Sequence, residues 1–449
     1  MSRFNDFLEM KVMPFAGKIA AQRHLVALRD GIILTMPLII VGSLFLILGN
    51  LPIPGYADFM AGIFGESWST KLQYPVNVTF DVMAIFACFG IAYRLAQAYE
   101  ADGVDPLSSG AIALSAFLLA TPFSPFEVDG AAANFVPVSL LGSGGLFVGM
   151  LVAMFATEVY RFIVKRNIVI RMPDGVPPAV SRSFIALIPG FAVIILVWLI
   201  RMLVEATPFG DIHNLIATII GSPLTLVGSS FIGSFVAELM IVLLWVCGLH
   251  GANIVGGIMS PIWLKATAEN ATAFAAGTEL PHIFTQQFFD VFIHVGGSGA
   301  TLGLVLIMIW RAKLKQNKQL SRLATGPAFF NINEPIVFGL PIVLNPLMII
   351  PFITIPLVMV ATTYIGMSTG LVAKPAGIVV PWTMPPLISG YLATGGKISG
   401  AVIQLINLVI SMAIYYPFFR ALEKNQLKEE EARQRELAAS EDGADPISN

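Results

Sequence analysis

Cysteine is almost missing from this 449-residue chain: Cys88 and Cys247 are the only two, and both stand inside apolar segments. Two cysteines so placed exclude a disulfide framework, and with only five histidines they leave no Cys/His cluster on which a metal site could be built. Charge is equally scarce. Asp, Glu, Lys and Arg make up 12% of the residues against 56% hydrophobic ones, and mean hydropathy is +0.79. These values exclude an ordinary soluble domain and place the chain in the polytopic membrane class. The net charge of -2 says little by itself, because in a membrane protein the location of Lys and Arg carries the information.

Apolar runs of spanning length are plentiful. They occupy roughly 32–49, 78–98, 107–121, 139–164, 184–204, 226–249, 285–310, 347–366 and 398–419, with shorter pieces between them. The expected fold is therefore an all-α polytopic membrane protein of about ten transmembrane helices. Basic residues cluster before the first run (Arg3, Lys11, Lys18, Arg23, Arg29), after the fourth (Arg161, Lys165, Arg166, Arg171, Arg182) and after 285–310 (Arg311, Lys313, Lys315, Lys318, Arg322). Loops 50–76, 122–138 and 205–225 hold a single basic residue, Lys71. By the positive-inside rule the clusters, and the tail with Arg420, Lys424, Lys428, Arg433 and Arg435, face the cytoplasm, and both termini with them. Some thirty residues precede the first run and no small-residue cleavage site follows it, so it is read as a retained span rather than a signal peptide.

Four regions follow. Residues 1–30 form an amphipathic segment at the cytoplasmic surface, with Phe4, Phe7, Leu8, Val12, Phe15 and Ile19 at helical spacing. Residues 31–225 form a bundle of regular spans suited to dimerisation, and 226–422 a second lobe with broken elements. Residues 423–449, charged and small, read as a disordered tail. Sign counting requires 250–284 to return to the outside. The glycines and Pro261 in Gly251–Trp263 predict a hairpin or broken helix there, and 326–346 and 374–396, rich in Pro and Gly, predict re-entrant hairpins. The Gly-Ser patches at 142–145 and 296–299 are read as helix-packing surfaces.

Polar groups at apolar depth are few: Glu238, His250, His294 and Glu334. An acid there is costly and marks a functional candidate. Glu238 lies in a regular helix, where pairing with a neighbour is the expected role, and His294 beside small residues is read as structural. Glu334 is different. It follows Asn333 in Gly326–Pro341, where Pro327, Pro335 and Pro341 prevent a smooth helix and free backbone groups beside it. His250 ends a span in Trp245-Val246-Cys247-Gly248-Leu249-His250-Gly251, among glycines. An amide, a carboxylate and an imidazole suit a polyhydroxylated ligand, whose hydroxyls both donate and accept. Trp245 and Trp382 can cover the apolar face of a sugar ring, whereas Trp263 and Trp310 fit membrane interfaces.

Three stretches carry a resemblance: Asn333-Glu334-Pro335-Ile336, Gly248-Leu249-His250-Gly251, and Gly296-Gly297-Ser298-Gly299-Ala300-Thr301-Leu302. With them, over roughly residues 5–425, the chain resembles enzyme IIC, the membrane permease component of the bacterial phosphoenolpyruvate-dependent sugar phosphotransferase system, in its lactose/cellobiose/diacetylchitobiose branch. The resemblance implies a homodimer in the inner membrane, joined through the N-terminal spans, whose C-terminal lobe carries a β-linked disaccharide across in an elevator-like movement. It implies phosphorylation of the sugar at its C6 hydroxyl from a phosphocysteine on a separate IIB protein, which IIA recharges. No cofactor is implied on this chain, since the phosphoryl group comes from IIB. Carried over by motif, Glu334 holds the C6 hydroxyl and takes its proton, and His250 steadies the incoming phosphoryl charge. Asn333 and Asn253 then bind other hydroxyls, while Trp245 and Trp382 flank the rings. The other expectation compatible with these residues is a proton-coupled sugar symporter, with Glu334 or Glu238 carrying the proton and no phosphoryl donor.

Overall fold

The computed structural model describes residues 18, 21–49, 55–128, 131–173, 175–340, 342 and 345–442. The predicted amphipathic stretch of Phe4 to Ile19 therefore lies outside the described residues, Lys18 excepted, as does Pro341. The order begins with α1 (Arg23–Ile33), α2 (Met36–Gly49), α3 (Tyr56–Phe64), α4 (Trp68–Phe80), α5 (Met83–Gln97) and α6 (Pro106–Ala120). A hairpin of β1 (Ser124–Val128) and β2 (Ala131–Phe135), antiparallel, separates these from α7 (Leu146–Lys165) and α8 (Pro178–Glu205). After α9 (Ile212–Ile216), α10 (Ser222–Gly228) and α11 (Phe231–Val246) come α12 (Gly251–Ala275), α13 (Leu302–Arg311) and α14 (Lys315–Phe329). The chain continues with α15 (Glu334–Gly339), α16 (Pro346–Ser368), α17 (Ile388–Ala393) and α18 (Ile398–Asp442).

Local chemistry explains several boundaries. Gln22 caps α1 by accepting from the Leu25 amide at 2.7 Å, and Asp105 caps α6 through the Ser108 amide at 2.8 Å, with Pro106 occupying the first turn, where its missing N–H is harmless. Among the described residues six helices are long and apolar enough to cross a membrane, or seven if the pair bent by 76° between Ile212–Gly228 and Phe231–Val246 is one span. The chain is a multi-pass membrane protein.

Three expectations are corrected. Residues 251–275 form one continuous helix rather than a hairpin: α12 carries Pro261 internally, which membrane helices tolerate because neighbours satisfy the freed backbone. Its glycines serve contact instead. A Cβ on Gly257 would stand 3.3 Å from the Leu25 carbonyl of α1, so the smooth side lets α1 and α12 approach. Conversely, 285–310 is no continuous span. It makes a π-helical turn at Phe288–Ile293, then an irregular strip in which Gly296, Gly297, Gly299 and Ala300 all take positive φ, and only then α13. The glycine patch there is a backbone device, not a packing surface. Finally, the predicted disorder from Glu423 gives way to helix as far as Asp442, with 443–449 outside the described residues.

The first half packs through α5, which contacts α1, α6 and α7, and the second through α18, which contacts α13, α16 and α17; α1 also lies against α12. At one end of the first half the charges are matched. Arg161 Nε meets Asp102 at 2.7 Å, Lys165 reaches the same carboxylate at 3.6 Å, and Arg182 reaches Asp105 at 3.4 Å. The Arg161 guanidinium beside Asp102 holds that carboxyl below the usual carboxylate range.

Candidate functional site

The site is built where helices stop. At the end of α11, Gly248 takes φ +76° and turns the chain, so that His250 becomes the N-cap of α12. Its Nδ1 accepts from the Asn253 amide at 3.3 Å, and its ring lies 4.5 Å from that of Trp245. Capping by Nδ1 fixes the tautomer with the proton on Nε2, leaving a donor free on the far side of the ring. Trp245 is buried, and its Nε1 has no hydrogen-bond partner among the described residues.

The second wall comes from three irregular strips laced by asparagines. Asn331, at φ +59°, accepts from the Gly296 amide at 2.7 Å and donates to the Trp382 carbonyl at 2.5 Å and the Met384 carbonyl at 3.3 Å. Asn333 donates to the Ser298 carbonyl at 2.6 Å. The strip ahead of Trp382 is held further back, where the Val379 amide meets Ser43 Oγ at 2.8 Å and the Val380 amide meets Gln287 Oε1 at 3.1 Å. Each bond satisfies a backbone group that no regular element claims.

Gly297 shows how tight the lacing is. At φ +88°, a Cβ there would stand 2.6 Å from Asn333 Cγ. Gly297→Ala is therefore expected to destabilise the fold by about 1–3 kcal/mol from backbone strain alone, with Asn333 displaced in addition. Chemical unfolding in detergent checks the first effect, and wild-type stability would show that the strip gives way freely.

Glu334 opens α15, with Pro335 in the first turn, and its side chain stands exposed. It has no ion pair or hydrogen bond among the described residues, and it lies near enough to act electrostatically on His250. Glu238 behaves otherwise. Fully buried in α11, it meets His294 Nε2 at 3.0 and 3.2 Å, the pairing expected for an acid in a regular helix.

These strips enclose a cavity of about 620 Å³, and Glu334, His250, Asn333, Asn253, Trp245 and Trp382 all line it. That volume suits a small-molecule ligand of two rings. Other lining residues escaped the sequence reading. Asp290 and Gln286 lie in a run that reads as an ordinary span, and Arg29 in a basic cluster that marks topology; Arg29, Met36 and Ile40 bring α1 and α2 into the wall. The two carboxylate oxygens of Asp290 accept from Gln286 Nε2 at 3.1 Å, while Gln286 Oε1 is buried with no partner among the described residues. An acid within the apolar run 285–310 was the available signal. The arrangement presents donors, acceptors and indole faces around one void, with an unpaired carboxylate beside an imidazole.

Known proteins give the comparison its scale. The family model described as phosphotransferase system, EIIC, matches residues 29–356. The chain is 65% identical to the lichenan permease IIC component of Bacillus subtilis (strain 168) over 436 residues, 96% of both proteins. It is 57% identical to the cellobiose-specific EIIC component of Geobacillus stearothermophilus, over 96% of this chain and 97% of that one. In structure it matches the crystal structure of the transporter ChbC, the IIC component from the N,N'-diacetylchitobiose-specific phosphotransferase system. There the TM-score is 0.90 at 51% identity, over 95% of this chain and 99% of that one.

Proposed function

The chain belongs to the phosphotransferase system EIIC family and is a sugar-specific permease subunit, and from that premise we propose that it carries a β-linked disaccharide such as cellobiose or diacetylchitobiose and presents its C6 hydroxyl for phosphorylation. One observation carries this reading: Glu334, a carboxylate with no partner among the described residues, lines the same cavity as His250, Trp245 and Trp382. The indoles cover the sugar rings, Asn253 and Asn333 take hydroxyls, and the C6 hydroxyl lies against Glu334. The C6 oxygen attacks the phosphorus of the IIB phosphocysteine, the O–P bond forms as the S–P bond breaks, the thiolate leaves, and Glu334 accepts the hydroxyl proton. The Nε2–H of His250 faces the charge that builds on the phosphoryl oxygens. The phosphoryl group stays on IIB until transfer and no cofactor is held on this chain.

The membrane arrangement belongs to the same proposal. Together with the seven spans counted above, α6, α12 and α13 make ten membrane-embedded segments, with both termini cytoplasmic. Residues 31–225 form the homodimer interface, and 226–422 form the lobe that moves with the sugar. The proton-coupled symporter is disfavoured by the family, whose members work with IIA and IIB. The test is phosphorylation by purified, phosphorylated IIB of a panel of cellobiose, diacetylchitobiose, lactose and maltose. Turnover of a β-linked sugar and none of maltose is expected. Accumulation of unmodified sugar in cells lacking the phosphorelay would overturn the reading in favour of symport.

A further inference from the structure

We infer that the exposed face of α14 is the docking track for the phosphorylated IIB protein, a partner whose reacting group is dianionic. The inference rests on the proposed function for the identity of that partner. From Arg311 to Asn333 the chain has no acidic residue and five basic ones. Lys315, Lys318 and Arg322 recur at three- and four-residue steps, so they share one face of the helix, and all three are exposed. The same face continues to Phe329, 42% exposed, seven positions after Arg322, and Leu323, 73% exposed, borders it on one side.

Among the described residues, Lys315, Lys318 and Arg322 have no ion-pair partner, whereas Arg161, Lys165 and Arg182 of the earlier basic cluster are matched by Asp102 and Asp105. Arg166 and Arg171 of that cluster are unmatched too among the described residues, but only on α14 do three unmatched cations line one exposed face of a helix that runs toward the site. The opposite face is fixed: Ser321, Ala324 and Ala328 are buried, and Asn317 donates to Gln426 of α18 at 2.9 Å. Buried Glu423 accepts from the Lys313 and Leu314 amides at 2.7 and 3.1 Å, which anchors the helix start. At its other end, Phe329 stands five positions before Glu334. A partner laid along the cationic face with its apolar rim on Leu323 and Phe329 therefore ends at the short turn that leads into the reacting carboxylate.

A basic and apolar helix face also fits an anionic bilayer surface. The continuity of this face with the strip leading to Glu334 favours the donor protein, because a lipid headgroup has no reason to follow it. The cations act on docking rather than on chemistry: Lys315 lies about 20 Å along the helix from Phe329, beyond a Debye length of about 8 Å in physiological salt.

The experiment uses the full chain in neutral phosphatidylcholine vesicles, with phosphorylated IIB protein of the cellobiose branch and cellobiose. Lys315→Glu, Lys318→Glu and Arg322→Glu combined are expected to raise the KM for phosphorylated IIB by about tenfold or more and flatten its dependence on salt, with kcat within about twofold. The cellobiose Kd without donor should stay unchanged, and the triple change to Gln should give the same pattern more weakly. An unchanged KM overturns the proposal. So does a defect seen only in phosphatidylglycerol-containing vesicles, which assigns the face to lipid, and so does loss of cellobiose binding in both triple variants. Failure of the wild-type chain to turn over with any IIB protein overturns the functional reading beneath it, and is thereby distinguished from failure of the docking face.

Discussion

Glu334→Gln is expected to lower sugar phosphorylation by about 10²- to 10⁴-fold, the usual contribution of a positioned general base, while leaving the protein folded and able to bind sugar. The substitution keeps the shape and one acceptor oxygen and removes only the capacity to take a proton. It breaks no bond in the resting site, since the carboxylate has no hydrogen-bond or ion-pair partner among the described residues. Stability should therefore stay within about 0.5 kcal/mol of wild type, as for an exposed change away from any network. The split between binding and rate is the informative readout. A base acts on the chemical step, so kcat falls while the sugar Kd moves by a few-fold at most. Isothermal titration with cellobiose, together with phosphorylation by IIB, measures both. Near-normal turnover would remove Glu334 from the base role, and a parallel loss of binding and rate would make it a ligand anchor alone.

How far the sequence announces this site depends on the residue. Glu334 and His250 stand out because a charged or titratable side chain amid apolar residues needs a reason, and proline and glycine around both mark broken backbone. Trp245, Asn253, Asn333 and Trp382 follow from lying in the same interrupted stretches, and all six reach one cavity. The rest was hidden for a common reason: hydropathy reports burial, not backbone continuity. Asp290 apart, Phe288–Ile293 is as apolar as any span, yet it winds as a π turn and ends at the glycines of 296–299. The reverse holds at 251–275, where glycines and Pro261 imitate a break in a helix that runs through; Gly257 leaves room for α1 and Gly251 for α11. Asn331 was invisible beside its neighbours, since its value lies in a positive φ and three backbone partners distant in the chain. Arg29 and Asp290 join the site only once α1 and the π turn are folded together.

Gln404→Leu is expected to destabilise the protein by about 2 kcal/mol or more, although Leu nearly matches Gln in volume and is more at home in a membrane. On α18, Gln404, Asn407, Ser411 and Tyr415 recur at steps of three and four residues, a single helical stripe. They donate to the carbonyls of Val291, Phe292, Ala300 and Gly299 at 2.7–2.8 Å, which are the acceptors of the irregular 291–300 strip. Gln404 does more, because its Oε1 also accepts from the Leu387 and Gly390 amides at 2.7 and 2.9 Å and so holds Leu387 at φ +72°. Replacement orphans the buried Val291 carbonyl and Gly390 amide and the part-buried Leu387 amide. Each buried orphan costs about 1–3 kcal/mol, and the apolar gain of one Leu, about 2 kcal/mol, does not offset three. Ser411→Ala, which frees only the Ala300 carbonyl, should cost about 1 kcal/mol by comparison. Denaturant unfolding of both variants in the same detergent separates the cases. Because the strip holding Leu387 continues from Trp382, Gln404→Leu should also weaken cellobiose binding while Ser411→Ala does not. Equal midpoints for the two variants would mean that the strip keeps its shape without Gln404, and that the cavity wall is set by the asparagine lacing alone.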